Sequence, residues 1–85
     1  MDKIYMSNQI KLEILNICGH PTVGSYNLDG KTALAVLGYH SQIHFKMLED
    51  KLQTLATYYN TGKIITPGVI SKDFTVNECI RLILL

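Results

Sequence analysis

The clearest pattern of apolar and polar positions lies between residues 42 and 59. At about 100° per residue, the apolar side chains of this segment fall on one narrow stripe of a helix. The stripe consists of Phe45, Leu48, Leu52, Leu55, Ala56 and Tyr59. Ser41 can cap the helix at its start, and the run of residues 60–62, Asn-Thr-Gly, ends it. The pattern therefore predicts a long helix from Ser41 to about Tyr59 with one buried face.

Both ends of the chain also predict helices. Ser7 can cap a first helix over about residues 8–18, because glycine and proline follow at positions 19 and 21. Thr75, with Glu78 three residues later, forms the pattern of a capping box. It begins a last helix that is apolar on most sides, which indicates burial on more than one face.

Residues 22–37 predict a β-hairpin. Asp29 and Gly30 form one of the strongest two-residue turn signals, and they set residues 22–28 opposite residues 31–37. The second segment is apolar on both faces, as a central strand would be. The competing interpretation is a short helix capped by Thr32, because Ala and Leu favour helix. The segments KIIT and VIS, on either side of Pro67, indicate two short strands or a strand and a loop.

Together these elements predict a single α+β domain over residues 1–85, in the order helix, hairpin, long helix, short strands, helix. The long helix would cover one face of a small antiparallel sheet. The alternative is a winged helix-turn-helix, because the stretch ALAVLG followed by SQIHFKMLEDKL resembles the general pattern of small winged-helix regulators. Residues 63–74 would then form the wing. The two interpretations differ at residues 32–37, which are extended in the first and helical in the second.

The charge of the chain favours a protein partner over nucleic acid. The net charge is +1, the lysines are scattered, and Arg81 is the only arginine. Nucleic-acid-binding domains usually concentrate their cations on one face. Glu49 and Asp50 are expected on the outer face of the long helix, where they would oppose phosphate binding. In the regulator alternative, the residues that approach DNA are Gln42, His44, Lys46 and Lys51.

A zinc site is a weaker possibility. The candidate ligands are Cys18, His20, His40 and His44. The front half has only one residue between its two ligands, which is tighter than the usual spacing. If Ser41 caps the long helix, His40 lies outside it and does not share a face with His44. We therefore expect no metal.

Catalytic groups are equally scarce. The segment GSYNLDGKT, residues 24–32, has one residue too many between its first glycine and its Gly-Lys pair for a phosphate-binding loop. Cys79 adjoins Glu78, which raises a thiol pKa and does not lower it. The sequence predicts a protein that is not an enzyme and needs no cofactor.

Three apolar residues of the long helix fall outside its predicted buried stripe: Ile43, Met47 and Tyr58. They align on one edge of the helix and have the residue types of a protein interface. The charged share of the chain, 18%, is below the typical value of about 25%. Apolar surface should therefore remain after the core is filled, unless the first helix or residues 63–71 cover this edge.

The last helix suggests self-association. Ile80, Leu82 and Leu85 are the candidate residues, because a two-fold dimer would bury a second apolar face. The function predicted is a non-catalytic protein-binding module, homodimeric, of the inhibitor or adaptor type that small phage or bacterial accessory genes encode. The sequence lacks a secretion signal and a membrane-spanning run, and two cysteines make no disulfide framework. A cytoplasmic location is expected.

Overall fold

The computed structural model describes residues 2–85, which form three α-helices. They are α1 (Lys3–Ile17), α2 (Gln42–Tyr58) and α3 (Val76–Leu84). Two short 3₁₀ turns, Ser25–Asn27 and Leu34–Leu37, lie in the long connection between α1 and α2. The described residues contain no strand, and Ala33 and Thr75 form one isolated antiparallel bridge. The domain is therefore all-helical, and the predicted α+β fold is wrong.

Local capping signals decide where the helices begin. The Ser41 hydroxyl accepts a hydrogen bond from the His44 amide, so α2 starts where its sequence predicts. The capping box of Thr75 and Glu78 is confirmed, with both reciprocal bonds present. By contrast, α1 begins five residues before the predicted residue 8, because the Asp2 carboxylate accepts from the amides of Ile4 and Tyr5.

The predicted hairpin is absent because residues 30–35 pair with a distant segment. Asp29 does form a turn, since its carboxylate accepts from the Lys31 amide at 2.9 Å. Beyond the turn, however, the backbone bonds to the start of α3 and to the residues before it. The amide of Leu34 donates to the carbonyl of Phe74 at 2.8 Å, and further bonds join residues 76 and 77 to residues 32 and 30. Residues 22–28 carry the first 3₁₀ turn and have no strand partner.

Gly30 lies at a close approach to α3 and not in a hairpin turn. Its φ is not positive, whereas the predicted hairpin turn needs a positive φ there. A Cβ atom at residue 30 would collide with the side chain of Asn77 at the start of α3. The Asp-Gly pair is therefore a genuine turn signal, but it directs the chain onto α3.

The loop of residues 60–74 is also without strands, so the short strands predicted over KIIT and VIS are wrong. Backbone groups of this loop bond instead to polar side chains of α2. Gln53 Oε1 accepts from the Ile65 amide at 2.8 Å, and Glu49 Oε2 accepts from the Gly68 amide at 2.9 Å. Ile65 and Ile70 enter the core and hold the loop against the helix.

The core lies between the three helices and the two loops. Its fully buried members are Met6, Ile10, Ile14, Leu34, Tyr39, Leu48, Leu52, Val76, Cys79 and Ile83. The Tyr39 hydroxyl donates to the Ile14 carbonyl at 2.6 Å, which satisfies one of the free carbonyls at the end of α1. Burial raises the pKa of this phenol well above its ordinary value. The connection before α2 is thus fastened to α1.

Candidate functional site

The exposed edge of α2 carries the three residues that the sequence singles out for a partner. The side chain of Ile43 is 71% exposed, that of Met47 46% and that of Tyr58 79%. We call these three residues the α2 ridge. The opposite stripe of the helix enters the core through Phe45, Leu48, Leu52 and Ala56. The core therefore closes without the ridge.

The ridge has two ends that are well separated along the helix. Ile43 and Met47 are one turn apart, about 6 Å along the axis, whereas Tyr58 lies about 16 Å beyond Met47. The exposed residues Lys51 and Thr54 lie between them. A partner that contacts both ends must therefore follow most of the length of α2.

At its C-terminal end the ridge continues onto α1 through aromatic contacts. The rings of Tyr58 and Tyr59 meet edge to face at a centroid distance of 5.1 Å, and Tyr59 meets Tyr5 of α1 in the same way at 6.4 Å. Tyr5 and Ile4 are themselves exposed. Tyrosines combine an apolar ring with a polar tip, which is why they are enriched at interfaces.

A shallow groove runs between α1 and α2 beside this aromatic group. It has a volume of about 350 Å³, and Tyr5, Leu55 and Tyr58 form its apolar part. An ion pair between Lys51 and Glu13, with a distance of 3.1 Å between Nζ and Oε2, joins the two helices across it. The C-terminal end of the ridge therefore lies beside a concave surface.

The expectation that Glu49 faces outward is wrong. Its side chain is only 7% exposed, because the loop after α2 covers this side of the helix and the Gly68 amide binds the carboxylate. Asp50 is exposed and pairs with Lys46 at 3.0 Å. The solvent-exposed face of α2 is therefore centred nearer the ridge than the sequence pattern indicates.

The four residues proposed for DNA contact do not form a cationic face. Gln42, Lys46 and Lys51 are exposed and His44 is half-buried, but both lysines are paired with acids of this chain. The regulator alternative requires residues 32–37 to be helical, but only residues 34–37 are, and they form a single 3₁₀ turn. Ile65 and Gly68 bond to side chains of α2, whereas Lys72 and Phe74 bond to residues 35 and 34. No part of residues 63–74 forms a strand of a wing.

The residues predicted for self-association are only partly available. Ile80 and Leu82 are half-buried against the core of their own subunit, whereas Leu85 is 73% exposed. Val76, Cys79 and Ile83 form the fully buried face of α3, which packs on α1. A single chain therefore buries more of the apolar surface of α3 than the sequence of the helix indicates.

The thiols and imidazoles are the residues that the sequence offers as metal ligands or nucleophiles. Burial raises the pKa of Cys79 to about 12, with a further contribution from Glu78, and burial also raises the pKa of the half-buried Cys18. His20 Nε2 lies 2.5 Å from the Leu37 carbonyl oxygen, where it holds the second 3₁₀ turn. Within residues 2–85, no three His, Cys, Asp or Glu side chains come together as a metal site would need.

A second feature lies at the start of α2 and was missed from the sequence. Ser41 is exposed, and its Oγ lies 3.3 Å from His44 Nδ1. Beside it a pocket of about 640 Å³ opens between α2 and the loop, with Phe45 and Ile70 among its apolar walls and Lys72 among its polar ones. A serine followed by a histidine three residues later was the available signal, because that spacing places both on the first turn of a helix.

No family model, curated protein or solved structure is significantly similar to this chain. None of the helices within residues 2–85 combines the length and the apolar character needed to cross a bilayer.

Proposed function

We propose that the protein is a non-catalytic binding module that docks another protein on the α2 ridge. The observation that carries this proposal is the exposure of Ile43, Met47 and Tyr58 on a helix whose opposite face is fully packed. Apolar residues aligned on one edge and bordered by charged pairs have the composition of a protein interface. The inhibitor or adaptor role belongs to the same proposal.

The binding mechanism is the removal of apolar surface from water. Burial contributes roughly 25 cal/mol per Å², from which the loss of translational and side-chain freedom is subtracted. Met47 has a flexible side chain that adapts to different partner surfaces. Tyr58 provides a large ring at low cost in conformational entropy, so the two ends of the ridge suit a helix or an extended segment that lies along α2.

Support for a non-catalytic role comes from the state of the nucleophiles. Cys79 is buried with a pKa of about 12, and the pKa of Cys18 is also raised. Both thiols are therefore protonated at neutral pH, whereas a nucleophilic cysteine reacts as the thiolate. The two free thiols also support the cytoplasmic location included in this proposal, because that compartment keeps cysteines reduced.

Homodimer formation through α3 is a further part of the proposal, and Leu85 is its best-supported contact. Sedimentation of the wild type against Leu85→Asp tests it, because an exposed residue can be changed without disturbing the core. A dimer mass that falls to the monomer mass in the variant supports self-association. A monomer mass for both proteins contradicts it.

The docking proposal is tested by affinity capture from the native cell lysate with three baits. They are the wild type, Ile43→Asp with Met47→Asp, and Val23→Asp with Ile64→Asp as a matched control. Val23 and Ile64 are also exposed apolar residues, but they lie outside α2. We expect a protein that the wild type and the control retain and the ridge variant loses. Retention of the same proteins by all three baits would contradict the proposal.

A second candidate function follows from the start of α2. We infer that a separate transferase attaches a phosphate-linked group to Ser41 from a donor with a phosphoanhydride bond. The bond between Oγ and phosphorus forms, the anhydride bond breaks, the other phosphate of the donor leaves, and the hydroxyl proton is released. The protein then carries the attached group to partners that dock on the ridge. The hydroxyl is exposed, lies beside an imidazole, and stands at a helix N-terminus, which favours a phosphate through its amides and dipole. Ile43 and Met47 follow within two turns, so a partner on the ridge would reach the attached group.

Intact-mass measurement of the protein isolated from its native cells tests this second candidate. We expect an added mass on the wild type that is absent from Ser41→Ala, and the size of that mass identifies the group. His44→Ala serves as a companion variant because it removes the imidazole and keeps the hydroxyl. An unmodified mass for the wild type would contradict the candidate without affecting the docking proposal.

A further inference from the structure

The turn at Asp29 and Gly30 places two groups that can react with each other at an exposed position. The Asp29 side chain is exposed, and its Oδ1 accepts a hydrogen bond from the Lys31 amide at 2.9 Å. An aspartate bonded in this way to the amide two residues further on forms an Asx turn. Its Cγ atom is thereby folded back over the amide between them, which belongs to Gly30. The turn therefore holds a carboxyl carbon beside a backbone nitrogen with which it can close a five-membered ring.

The Gly30 amide is open to this reaction, unlike the amide that follows another exposed aspartate. Glycine has no Cβ atom, and no backbone carbonyl of residues 2–85 accepts a hydrogen bond from the Gly30 amide. Asp73 is also exposed and also lies in a turn. The residue after it, however, is Phe74, whose amide donates to the Ser71 carbonyl at 3.0 Å. Asp73 is therefore an internal control in which the neighbouring nitrogen carries a large side chain and is already bonded.

We propose that Asp29 is a self-modification site, at which the turn forms a succinimide and then isoaspartate. The Gly30 nitrogen attacks Cγ of the neutral side-chain acid. The bond between this nitrogen and Cγ forms, the bond between Cγ and its hydroxyl oxygen breaks, and water leaves with the amide proton. Water then adds to the α-carbonyl carbon of Asp29, and the bond from that carbon to the Gly30 nitrogen breaks. Both steps involve water alone and need no oxidant or cofactor.

The reaction changes the main chain at a junction that has no spare room. In isoaspartate the main chain runs through Cβ and Cγ, so one methylene group is added directly before residue 30. The Gly30 carbonyl accepts from the Asn77 amide at 2.8 Å, and a Cβ atom at Gly30 would collide with the Asn77 side chain. The modification therefore displaces Gly30 and weakens the pairing of residues 30–35 with residues 72–77. This site lies outside the α2 ridge and is independent of the docking proposal.

Prolonged warming of the folded protein, below its unfolding temperature, tests the proposal. Samples are treated with an isoaspartyl methyltransferase, which methylates the free α-carboxylate of isoaspartate and leaves aspartate unlabelled. Electron-transfer fragmentation locates the modified residue, because it cleaves the bond between Cα and Cβ that isoaspartate places in the main chain. We expect methylation to accumulate at residue 29 and not at residue 73. A succinimide, lighter than the protein by one water molecule, should precede it.

Two variants show whether the reaction needs the carboxyl group and has the expected effect on α3. Asp29→Ser keeps a side-chain acceptor for the turn and should abolish the methylation, whereas Lys31→Ala keeps the reacting pair and should retain it. Hydrogen exchange at the Asn77 amide should be about tenfold faster in the modified wild type, the effect of losing one backbone hydrogen bond. Warmed Asp29→Ser should show no such change. Absence of methylation at residue 29, equal methylation at residue 73, or unchanged exchange at Asn77 in the modified protein would overturn the proposal.

Discussion

The two sides of α2 that flank its buried stripe reverse the usual distribution of polar and apolar residues. On one side, Glu49 and Gln53 are covered by the loop of residues 60–74. On the other, Ile43, Met47 and Tyr58 face solvent. The difference arises because a loop without strand partners must satisfy its backbone amides elsewhere, and polar side chains of α2 provide the acceptors. The polar residues on one side of α2 therefore stabilise the fold, while the apolar residues on the other side remain exposed.

The largest expected contrast is between a core residue of α2 and a ridge residue. Leu52→Ala should lower the free energy of unfolding by about 2 to 5 kcal/mol, because it leaves a cavity among fully buried side chains. Ile43→Ala should change it by less than about 0.5 kcal/mol, as exposed substitutions usually do. Urea denaturation of both variants makes the measurement. A comparable loss in Ile43→Ala would mean that the ridge is part of the core.

The next largest effect is expected on the covered polar side. Gln53→Ala should cost about 1 to 3 kcal/mol, because it leaves the partly buried Ile65 amide without its acceptor. Thr54→Ala is the matched control, because Thr54 is the next residue of α2 and its side chain is exposed. Hydrogen exchange should also quicken at Ile65 in the first variant alone. Equal free energies of unfolding for the two variants would show that water replaces Gln53 as the acceptor for the Ile65 amide at no cost in stability.

The pH dependence of stability also distinguishes a buried residue from an exposed one. The Cys79 thiol has its pKa raised from 9.0 to about 12 by burial. Below pH 9 the thiol is protonated in the folded and unfolded states alike. Between pH 9 and 12 only the unfolded state releases the proton, so stability falls by about 1.4 kcal/mol per pH unit.

Urea denaturation at pH 8, 9 and 10 measures this slope, with Cys79→Ala as the comparison. Between pH 9 and 10, the free energy of unfolding should fall more in the wild type than in the variant. The variant is less stable at pH 8 because its side chain is smaller, but this difference does not affect the slope. Tyr39 adds a similar pH dependence to both proteins, because burial is the main cause of its raised pKa and Cys79 makes only a smaller contribution. Parallel curves for the two proteins would contradict the interpretation that Cys79 is sealed in the core.

The smallest effect is expected for the ion pair on the exposed surface. Lys46→Ala removes the partner of Asp50, and both side chains are about two-thirds exposed. Pairs of this kind at i and i+4 contribute only about 0.3 to 0.5 kcal/mol. Measuring the stability at low and at 1 M salt checks this, because salt should remove the difference between variant and wild type. A loss that persists in salt would indicate an additional structural role for Lys46.

The sequence identified those parts of the fold that short-range interactions determine. The limits of α2 and the capping box of α3 follow from residues within one helical turn. The predicted hairpin failed because residues 30–35 pair with residues 72–77, and that pairing leaves no local signal. The strands of the second loop failed for a related reason, since their hydrogen-bond partners are side chains of α2.

The sequence likewise predicted one part of the candidate site and missed another. The alignment of Ile43, Met47 and Tyr58 follows from helical periodicity, and their exposure agrees with it. The inward position of Glu49 was missed, because burial of a carboxylate depends on an amide 19 residues away.

Site-specific photocrosslinking from the ridge tests the central claim most directly. A photoreactive benzoylphenylalanine is placed at residue 47 or 58, and at residue 23 or 64 as exposed controls, and each protein is irradiated in the native cell lysate. The account predicts the same discrete crosslinked protein from positions 47 and 58 and none from the controls. A crosslinked partner at residues 23 or 64, with none at residues 47 and 58, would contradict it.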